Sequence, residues 1–383
     1  MEAEMGPLGG LWPESELGPV ESEGFLTKQL VTCIGNKRSL LDFIGTGLDE
    51  VSTRLGKDRL DILDAFSGSG VVSRFFKRRS RRLVANDIEP YAEAANACYL
   101  ANASELDRTR LVEEHEWLLE RIRSDPQPGF IAELYAPKDD ARIQSGERVF
   151  YTRGNAEYLD SARQHIERLD ARDRVFFIAP LLSEASIHAN TAGVFKGFYK
   201  DKESGIGKFG GKKGDALSRI KGGICLPFPV FSRFECEVEV RRQDARIAAR
   251  ESGELDLAYL DPPYNQHPYG SNYFMLNLVT SYRRPEQVSK VSGIPVDWRR
   301  SAYNKAREAL SALRELAESV DAAFLLVSFN SEGFIQETEM REMLGKLGDV
   351  RVLERRYNAF RGSRNLSGRD LHVAEYLFIV EKR

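Results

Sequence analysis

The tetrapeptide Asp261-Pro262-Pro263-Tyr264 follows the apolar run Leu255-Asp256-Leu257-Ala258-Tyr259-Leu260 directly. Consecutive prolines cannot continue a hydrogen-bonded ladder, so they impose a rigid turn at a sheet edge. Such a turn would hold a carboxylate, a free carbonyl and an aromatic face in one small cup. The cup suits an exocyclic amino group on a flat ring: the Asp261 carboxylate and the Pro262 carbonyl accept the two amino hydrogens while Tyr264 stacks on the ring. The alternative use of the same residues is a plain strand-ending turn.

Two further features suit a nucleotide-like ligand. In Phe66-Ser67-Gly68-Ser69-Gly70 the glycines let the backbone turn tightly and approach a ligand at the carboxyl edge of a sheet, although a tight turn needs no ligand. A dinucleotide site would carry a third glycine near position 73, where Ser73 stands. A P-loop would carry Gly-Lys-Ser/Thr, which is absent. The loop therefore fits a ligand without a pyrophosphate. Asp87, which follows Gly70 at the end of the next apolar run, is placed to accept hydrogen bonds from both ribose hydroxyls. It could equally cap the helix that begins near Pro90. Together the loop and the acid favour an adenosyl ligand.

The elements that must position these residues alternate. Leu60–Phe66 reads as a strand, Val71–Phe76 as a helix, Leu83–Ile88 as a strand and Pro90–Leu100 as a helix, which implies a parallel α/β sheet. Between 105 and 232 the rhythm breaks. Helices are expected over Leu106–Arg123 and Ala156–Leu169, and the apolar run Val175–Leu182 leads into a basic, glycine-rich stretch at 196–223. Strands return at Phe234–Val240, Leu255–Leu260 and Ala323–Phe329, and Arg351–Glu354 with Glu375–Val380 read as a terminal antiparallel pair.

With 383 residues, 42% hydrophobic and 30% charged, the chain has material for a sizeable core. No run of 18 apolar residues and no secretory leader is visible, so a cytoplasmic protein without a membrane span is expected. Cys33, Cys98, Cys225 and Cys236 form no CxxC pair and the histidines no HxxxH or HExxH, so neither disulfides nor a metal site is expected. The net charge of −3 conceals an uneven distribution. Residues 1–24 carry six glutamates and no Lys or Arg, and read as a disordered acidic tail. Lys196–Lys221 carries eight basic residues against three acids, and Arg351–Arg369 six arginines against Glu354. Each block suits phosphate neutralisation, or a solvated charged face.

In chain order, Gly35-Asn36-Lys37, Phe66-Ser67-Gly68-Ser69-Gly70, Asn86-Asp87-Ile88 and the tetrapeptide at 261–264 resemble the motifs of the S-adenosylmethionine (SAM)-dependent DNA amino-methyltransferases of the alpha group, those that methylate adenine. The resemblance spans residues 31–383. It implies a Rossmann-like SAM-dependent methyltransferase sheet, formed by 25–104 and 233–383, with a mainly helical target-recognition insertion at 105–232. It assigns Lys37 to the methionine carboxylate of SAM, Asp87 to the ribose and Asp244 to the cofactor adenine, though Asp244 also reads as an ordinary surface acid. Asp64, Phe66, Gly68, Gly70 and Ile88 complete the expected cofactor wall. Asp261 borders it and shares the catalytic cup with Pro262 and Tyr264. Asn265 and Tyr269–Tyr273 would form a substrate-side loop, Ser328–Gly333 a wall of the base pocket, and Tyr357–Asn365 a DNA-facing hairpin. DNA contacts are expected from Lys208, Lys212, Lys213, Arg219 and Lys221, from Asn272 and Tyr273, and from Arg361 and Arg364. One departure is Cys33, where an aromatic often stands four residues before the lysine.

The chemistry so implied is methyl transfer to an amino nitrogen whose lone pair is delocalised into the ring. Hydrogen bonds to Asp261 and Pro262 would favour a pyramidal nitrogen. The methyl group would then pass in line from a sulfonium with no covalent enzyme intermediate, in keeping with the absence of a Pro-Cys motif. The target base must leave the duplex to reach the cup. The alternatives are the cytosine 4-amino group, RNA, and a non-catalytic DNA- or SAM-binding subunit. Protein glutamine methylation goes with Asn-Pro-Pro-Tyr, and Asp261 stands in that first position. Expected partners are double-stranded DNA and a separately acting cognate restriction endonuclease, with the protein a monomer and site-specific in action.

Overall fold

Alternation within each central strand decides how the molecule is layered. A computed structural model describes residues 21–26, 28, 30–31, 37–211, 214, 216–358 and 372–383. Within them one sheet contains β1 (Leu60–Asp64), β2 (Ser80–Asp87), β3 (Glu237–Arg242), β4 (Leu255–Leu260), β5 (Ala322–Asn330), β6 (Gly348–Asn358) and β7 (His372–Lys382). The order is β3-β2-β1-β4-β5-β7-β6, parallel through β5, with β7 antiparallel to both β5 and β6. This is the expected α/β, Rossmann-like sheet. The terminal antiparallel pair is present too, in register from Gly348↔Lys382 to Asn358↔His372.

The helices are α1 (Glu23–Leu26), α2 (Leu41–Leu55), α3 (Val71–Lys77), α4 (Pro90–Tyr99), α5 (Arg108–Ser124), α6 (Phe130–Tyr135), α7 (Arg153–Ile166), α8 (Arg174–Ile187) and α9 (Leu217–Lys221). After β3 come α10 (Ala245–Glu251), α11 (Tyr269–Asn272), α12 (Phe274–Ser281), α13 (Ala309–Ser319) and α14 (Glu337–Gly345). Ile62, Leu257, Tyr259, Leu326 and Leu377 face one core with α2 and α3. Their strand neighbours Leu63, Ala258, Leu260, Leu325 and Phe378 face the other with α10, α13 and α14. Strands buried on both faces carry apolar residues on both, the mark of a doubly wound sheet. Helix α2 was not foreseen. It lies close to the sheet because Gly47 brings its backbone against Leu326 and Leu377, where an added Cβ would come within 2.7 Å of Leu326 Cδ1.

The segment between β2 and β3 is mainly helical. Two of its helix boundaries differ from the expected ones because caps set them. Asp107 accepts from Arg110 N at 3.1 Å, which starts α5 at Arg108, and Thr152 accepts from Asn155 N at 3.2 Å, which starts α7 at Arg153. The apolar run Val175–Leu182 lies within α8. These helices share a third core with α4 and with α12, whose Phe274, Met275, Leu276 and Val279 are buried in it. The helical layer is therefore built from two separate stretches of chain, because the polypeptide returns to it after β4.

Residues 1–20 of the expected acidic tail lie outside the described residues, but its last part is packed against the sheet domain. Glu21 is buried: the Ser232 hydroxyl donates to its Oε2 at 2.8 Å, and Arg74 lies 3.9 Å from its Oε1. The reason is Arg74, a buried guanidinium that also donates to the carbonyls of Phe25 and Lys28. A buried cation needs an acid and hydrogen-bond acceptors, and this segment provides both. Glu21→Ala is expected to destabilise the fold by about 1–3 kcal/mol, read as a lower Tm in thermal denaturation; an unchanged Tm would contradict this docking role.

Candidate active site

The strand order reverses direction between β1 and β4, so the loops after these strands diverge and leave a crevice at their carboxyl ends. A cleft of about 1090 Å³, open to solvent, lies there. Its floor comes from the loops after β1, β2, β3 and β4, and its outer wall from Pro268–Gly270 and Arg299–Asn304. The hydrogen bonds Ala65 N to Tyr259 O (3.1 Å) and Ser67 N to Asn86 O (2.8 Å) tie three of these loop starts together.

The glycine loop turns as its residue types require. Gly70 adopts φ +77°, and a Cβ there would lie 2.7 Å from Asn96 Oδ1. Gly68, at φ +50°, donates its N–H to Asp87 Oδ2 at 2.9 Å, and Glu89 N–H donates to Asp87 Oδ1 at 2.9 Å. Burial raises the Asp87 carboxyl above its usual range despite these hydrogen bonds. Phe66, Gly68, Asp87 and Ile88 all line the cleft. Asp64 does not. It is buried behind the loop, accepting from the Ser73 hydroxyl at 2.6 Å. Asp244 lines the cleft and also caps α10, its Oδ1 accepting from the N–H of Arg246 at 3.0 Å and pairing with that guanidinium at 3.1 Å.

Asp261 stands at the end of β4 in the cleft wall, its side chain 16% exposed. Its Oδ1 lies 3.1 Å from the ammonium of Lys37, which in turn lies 2.6 Å from Glu375 Oε1 and 5.3 Å from the centre of the Tyr264 ring. Burial works against the Lys37 charge, but Asp261 and Glu375 outweigh it and hold the ammonium well above its ordinary range. Burial pushes Asp261 up to about 6 against the pull of Lys37, and Glu375 adds to the rise. Pro262 is buried and Tyr264 half-buried. The Tyr264 ring sits edge-on to Phe329, centroids 5.8 Å apart, and its carbonyl accepts from Phe334 N at 3.0 Å. The Ser328–Gly333 segment thus packs behind the tyrosine.

Several residues of the cleft escaped the sequence reading. Tyr303 meets Phe66 edge-on at 5.1 Å, which makes an aromatic corner. Glu89 is buried in the lining and accepts from Asn277 at 2.5 Å. Burial lifts its carboxyl to about 7 against that hydrogen bond, with Asp87 adding to the rise. The segment 283–307, whose Arg299 and Arg300 line the mouth of the cleft, carries seven Lys/Arg against two acids. The same charge count that picked out the other two basic blocks would have found it. Glu375 had one legible signal, an acid at the head of the apolar run Tyr376-Leu377-Phe378-Ile379-Val380.

The expected DNA-contact residues divide. Lys221 is exposed and Lys208 half-buried. Arg219 is turned inward and donates to the carbonyls of Ile187 and Ala189, where it caps the end of α8, so it is not free for phosphate. Asn272 and Tyr273 are interior: Tyr273 packs against Tyr91 and Tyr269 in the helical core, and Asn272 O accepts from Phe195 N at 2.7 Å. Their burial gives them a structural place in that core. Lys212, Lys213, Arg361 and Arg364 lie outside the described residues, as do Cys33, Gly35, Asn36 and most of the expected 357–365 hairpin.

Fold and cleft together define a doubly wound α/β protein whose cleft is lined by a glycine loop after β1, a buried acid after β2 and a carboxylate on a Pro-Pro turn after β4. A family model described as D12 class N6 adenine-specific DNA methyltransferase matches residues 34–210 and 226–343, and the chain belongs to that family. It is 27% identical over 355 residues to the Type II methyltransferase M.CviAII of Paramecium bursaria Chlorella virus 1, covering 91% of this chain and 97% of that protein. It is 28% identical over 360 residues to the Type II methyltransferase M.NlaIII of Neisseria lactamica, covering 91% and 98%. The Type II methyltransferase M.FokI of Planomicrobium okeanokoites is 25% identical over 364 residues, a match to 91% of this chain and 52% of that protein.

Asp64 allows a test of the buried charge. Burial, opposed by the Ser73 hydrogen bond and reinforced by Asp261, raises its carboxyl from 3.8 to about 7. A raised folded value means that the folded state keeps the proton longer, so the contribution to stability is full below about 3.8 and is lost as pH rises through about 7. In ligand-free protein, the Tm of Asp64→Asn minus that of wild type is expected to increase between pH 5 and pH 8; a difference flat with pH would contradict it.

Proposed function

We propose that the chain transfers a methyl group from SAM to the exocyclic 6-amino group of an adenine flipped out of duplex DNA, at a specific sequence and with the alpha-group order of motifs. The observation that carries the reading is the Asp261 carboxylate, set on a Pro-Pro turn in the cleft wall with Oδ1 held by Lys37. The family is described by the N6 position of adenine, which favours adenine over the cytosine 4-amino group. The cup of Asp261, Pro262 and Tyr264 favours a catalyst over a non-catalytic subunit. Its relatives are named as Type II methyltransferases and modification methylases. By analogy the chain modifies sites for a restriction–modification system, beside a separately acting endonuclease, and works as a monomer on one strand at a time.

The residues present fit SAM. Asp87, Glu89, Asp244 and Asp261 line the cleft and Glu375 lies behind it, five acids against Lys37 within and Arg299 and Arg300 at the mouth. A ligand of net positive charge answers that excess, and SAM carries a sulfonium and an ammonium against one carboxylate. Asp87 and Asp244 would hold the ribose and the adenine, with Phe66, Ile88 and Tyr303 as apolar walls. Lys37, engaged by two carboxylates, reads better as the partner of Asp261 than as a contact to the methionine carboxylate. When bound, SAM supplies a methyl group activated on its sulfonium.

The chain's own part is to prepare the nitrogen. Asp261 and the Pro262 carbonyl accept its two hydrogens, which favours a pyramidal nitrogen with an available lone pair. Asp261 is the stronger acceptor when ionised, so the rate should fall on the acid side through about pH 6. Tyr264, backed by Phe329, stacks on the base and offsets part of the few kcal/mol needed to flip it. Lys208, Lys221, Arg299 and Arg300 neutralise backbone phosphate, which makes binding salt-dependent without reading sequence.

Mass spectrometry of nucleosides from DNA treated with protein and SAM should find N6-methyladenine, and Asp261→Ala should lower its rate of formation by about 10²-fold or more. Methylated cytosine in its place would overturn the adenine assignment. No methylated base from wild-type protein would overturn the enzymatic reading.

A further inference from the structure

We propose that Glu375 is a positioning residue for methyl transfer: from the last strand it fixes the Lys37 ammonium, and Lys37 fixes one oxygen of Asp261, so that the carboxylate meets the amino group in a single orientation. The proposal rests on the function proposed above.

The geometry is a relay of short contacts. Glu375 begins the apolar stretch of β7, opposite Asn330 of β5, and is fully buried. Its Oε1 accepts from the Ser328 hydroxyl at 2.7 Å and from Lys37 Nζ at 2.6 Å. Lys37 reaches Asp261 on Oδ1, and the side chain keeps its 16% exposure toward the cleft. Lysine alone is a poor orienting group, being a point charge on a flexible stem with three rotatable donors. Ser328 aims Glu375, Glu375 aims the ammonium, and the ring of Tyr264 gives that ammonium a third neighbour. A carboxylate free to rotate would present its acceptor at the wrong angle, and small misplacements of a positioned group cost rate steeply.

A neutral isostere in place of this acid leaves Lys37 its pair with Asp261, so the fold keeps a partner for the buried ammonium. Leu377, Phe378, Ile379 and Val380 follow Glu375 on the strand and are buried. Burying a charged pair in such surroundings is often no better for stability than apolar packing. The feature that needs Glu375 is the catalytic carboxylate at the other end of the relay.

Glu375 also acts on Asp261 through charge. The ionisable groups around Asp261 are Lys37 from the first motif, Glu375 from β7, Asp64 from the end of β1 and Tyr259 from β4. Among them Lys37 draws the Asp261 carboxyl down, while burial and Glu375 push it up. Removing the Glu375 charge therefore lets Asp261 ionise at lower pH while loosening its orientation.

The test is Glu375→Gln, measured by single-turnover methylation, by SAM affinity and by the pH dependence of kcat/KM. The rate is expected to fall about tenfold or more, with the SAM Kd within about twofold of wild type. The acidic limb of kcat/KM should move to lower pH. Ser328→Ala, which keeps every charge, should lower the rate less and leave the limb in place. Glu381→Gln, on the exposed part of the same strand, should match wild type in all three measurements. A wild-type rate and limb in Glu375→Gln would overturn the proposal. So would a loss of rate that only follows lost SAM binding or a lowered Tm in both Glu375→Gln and Ser328→Ala. Wild-type protein that forms no methyladenine would overturn the functional reading and this proposal with it, whereas an active wild type beside an equally active Glu375→Gln overturns the proposal alone.

Discussion

The ammonium of Lys37, placed between the carboxylates of Asp261 and Glu375, ties the ends of the chain to its middle. The contact to Glu375 spans 338 residues of sequence. Its three charges come from the segment before the first long helix, from the end of β4, and from the strand that inserts antiparallel between β5 and β6. None of these groups is tolerable alone at that depth, because a lone buried charge costs more than the fold can spare. The Asp261 carboxylate takes its environment from residues that no local stretch of sequence contains.

The sheet supplies everything else that the cleft requires. Apolar residues on both faces of β1, β4 and β5 force helices onto both sides, and the reversal of strand order between β1 and β4 leaves their loops apart. The glycine loop, the Asp87 acid and the Pro-Pro turn then meet because each is the first loop residue set after a neighbouring parallel strand. Loops far apart in sequence become neighbours by a rule of topology.

That rule explains which features were legible. Strand, glycine turn and helix at 60–77, the second strand with its terminal acid, and the strand before Asp261 are local patterns, and the structure has each of them. Helix α2 was missed because its signal is an amphipathic stripe interrupted by glycines, one of which is there for close packing on Leu326 and Leu377. Arg219, Asn272 and Tyr273 looked suited to a surface from their residue types. Their burial depends on tertiary partners, the end of α8 and the rings of Tyr91 and Tyr269, which a linear sequence does not reveal. Glu89, Tyr303 and Glu375 escaped for the same reason: each acquires its place from a partner at least 150 residues away in Asn277, Phe66 and Lys37.

Helix α12 belongs to the helical layer although it follows the Asp-Pro-Pro-Tyr turn by only ten residues. Phe195 of the layer donates to the carbonyl of Asn272 just before the helix, and Asn277 reaches back to Glu89 in the cleft, so α12 laces the layer to the sheet side beside α4, which shares the same core. Exchange of the helical layer between relatives is therefore not a single cut-and-paste of the stretch between β2 and β3. A graft that left the recipient's α12 in place would pair a foreign set of helices with the wrong packing surface, so a new helical layer in this architecture has to travel as two pieces of chain that fit each other.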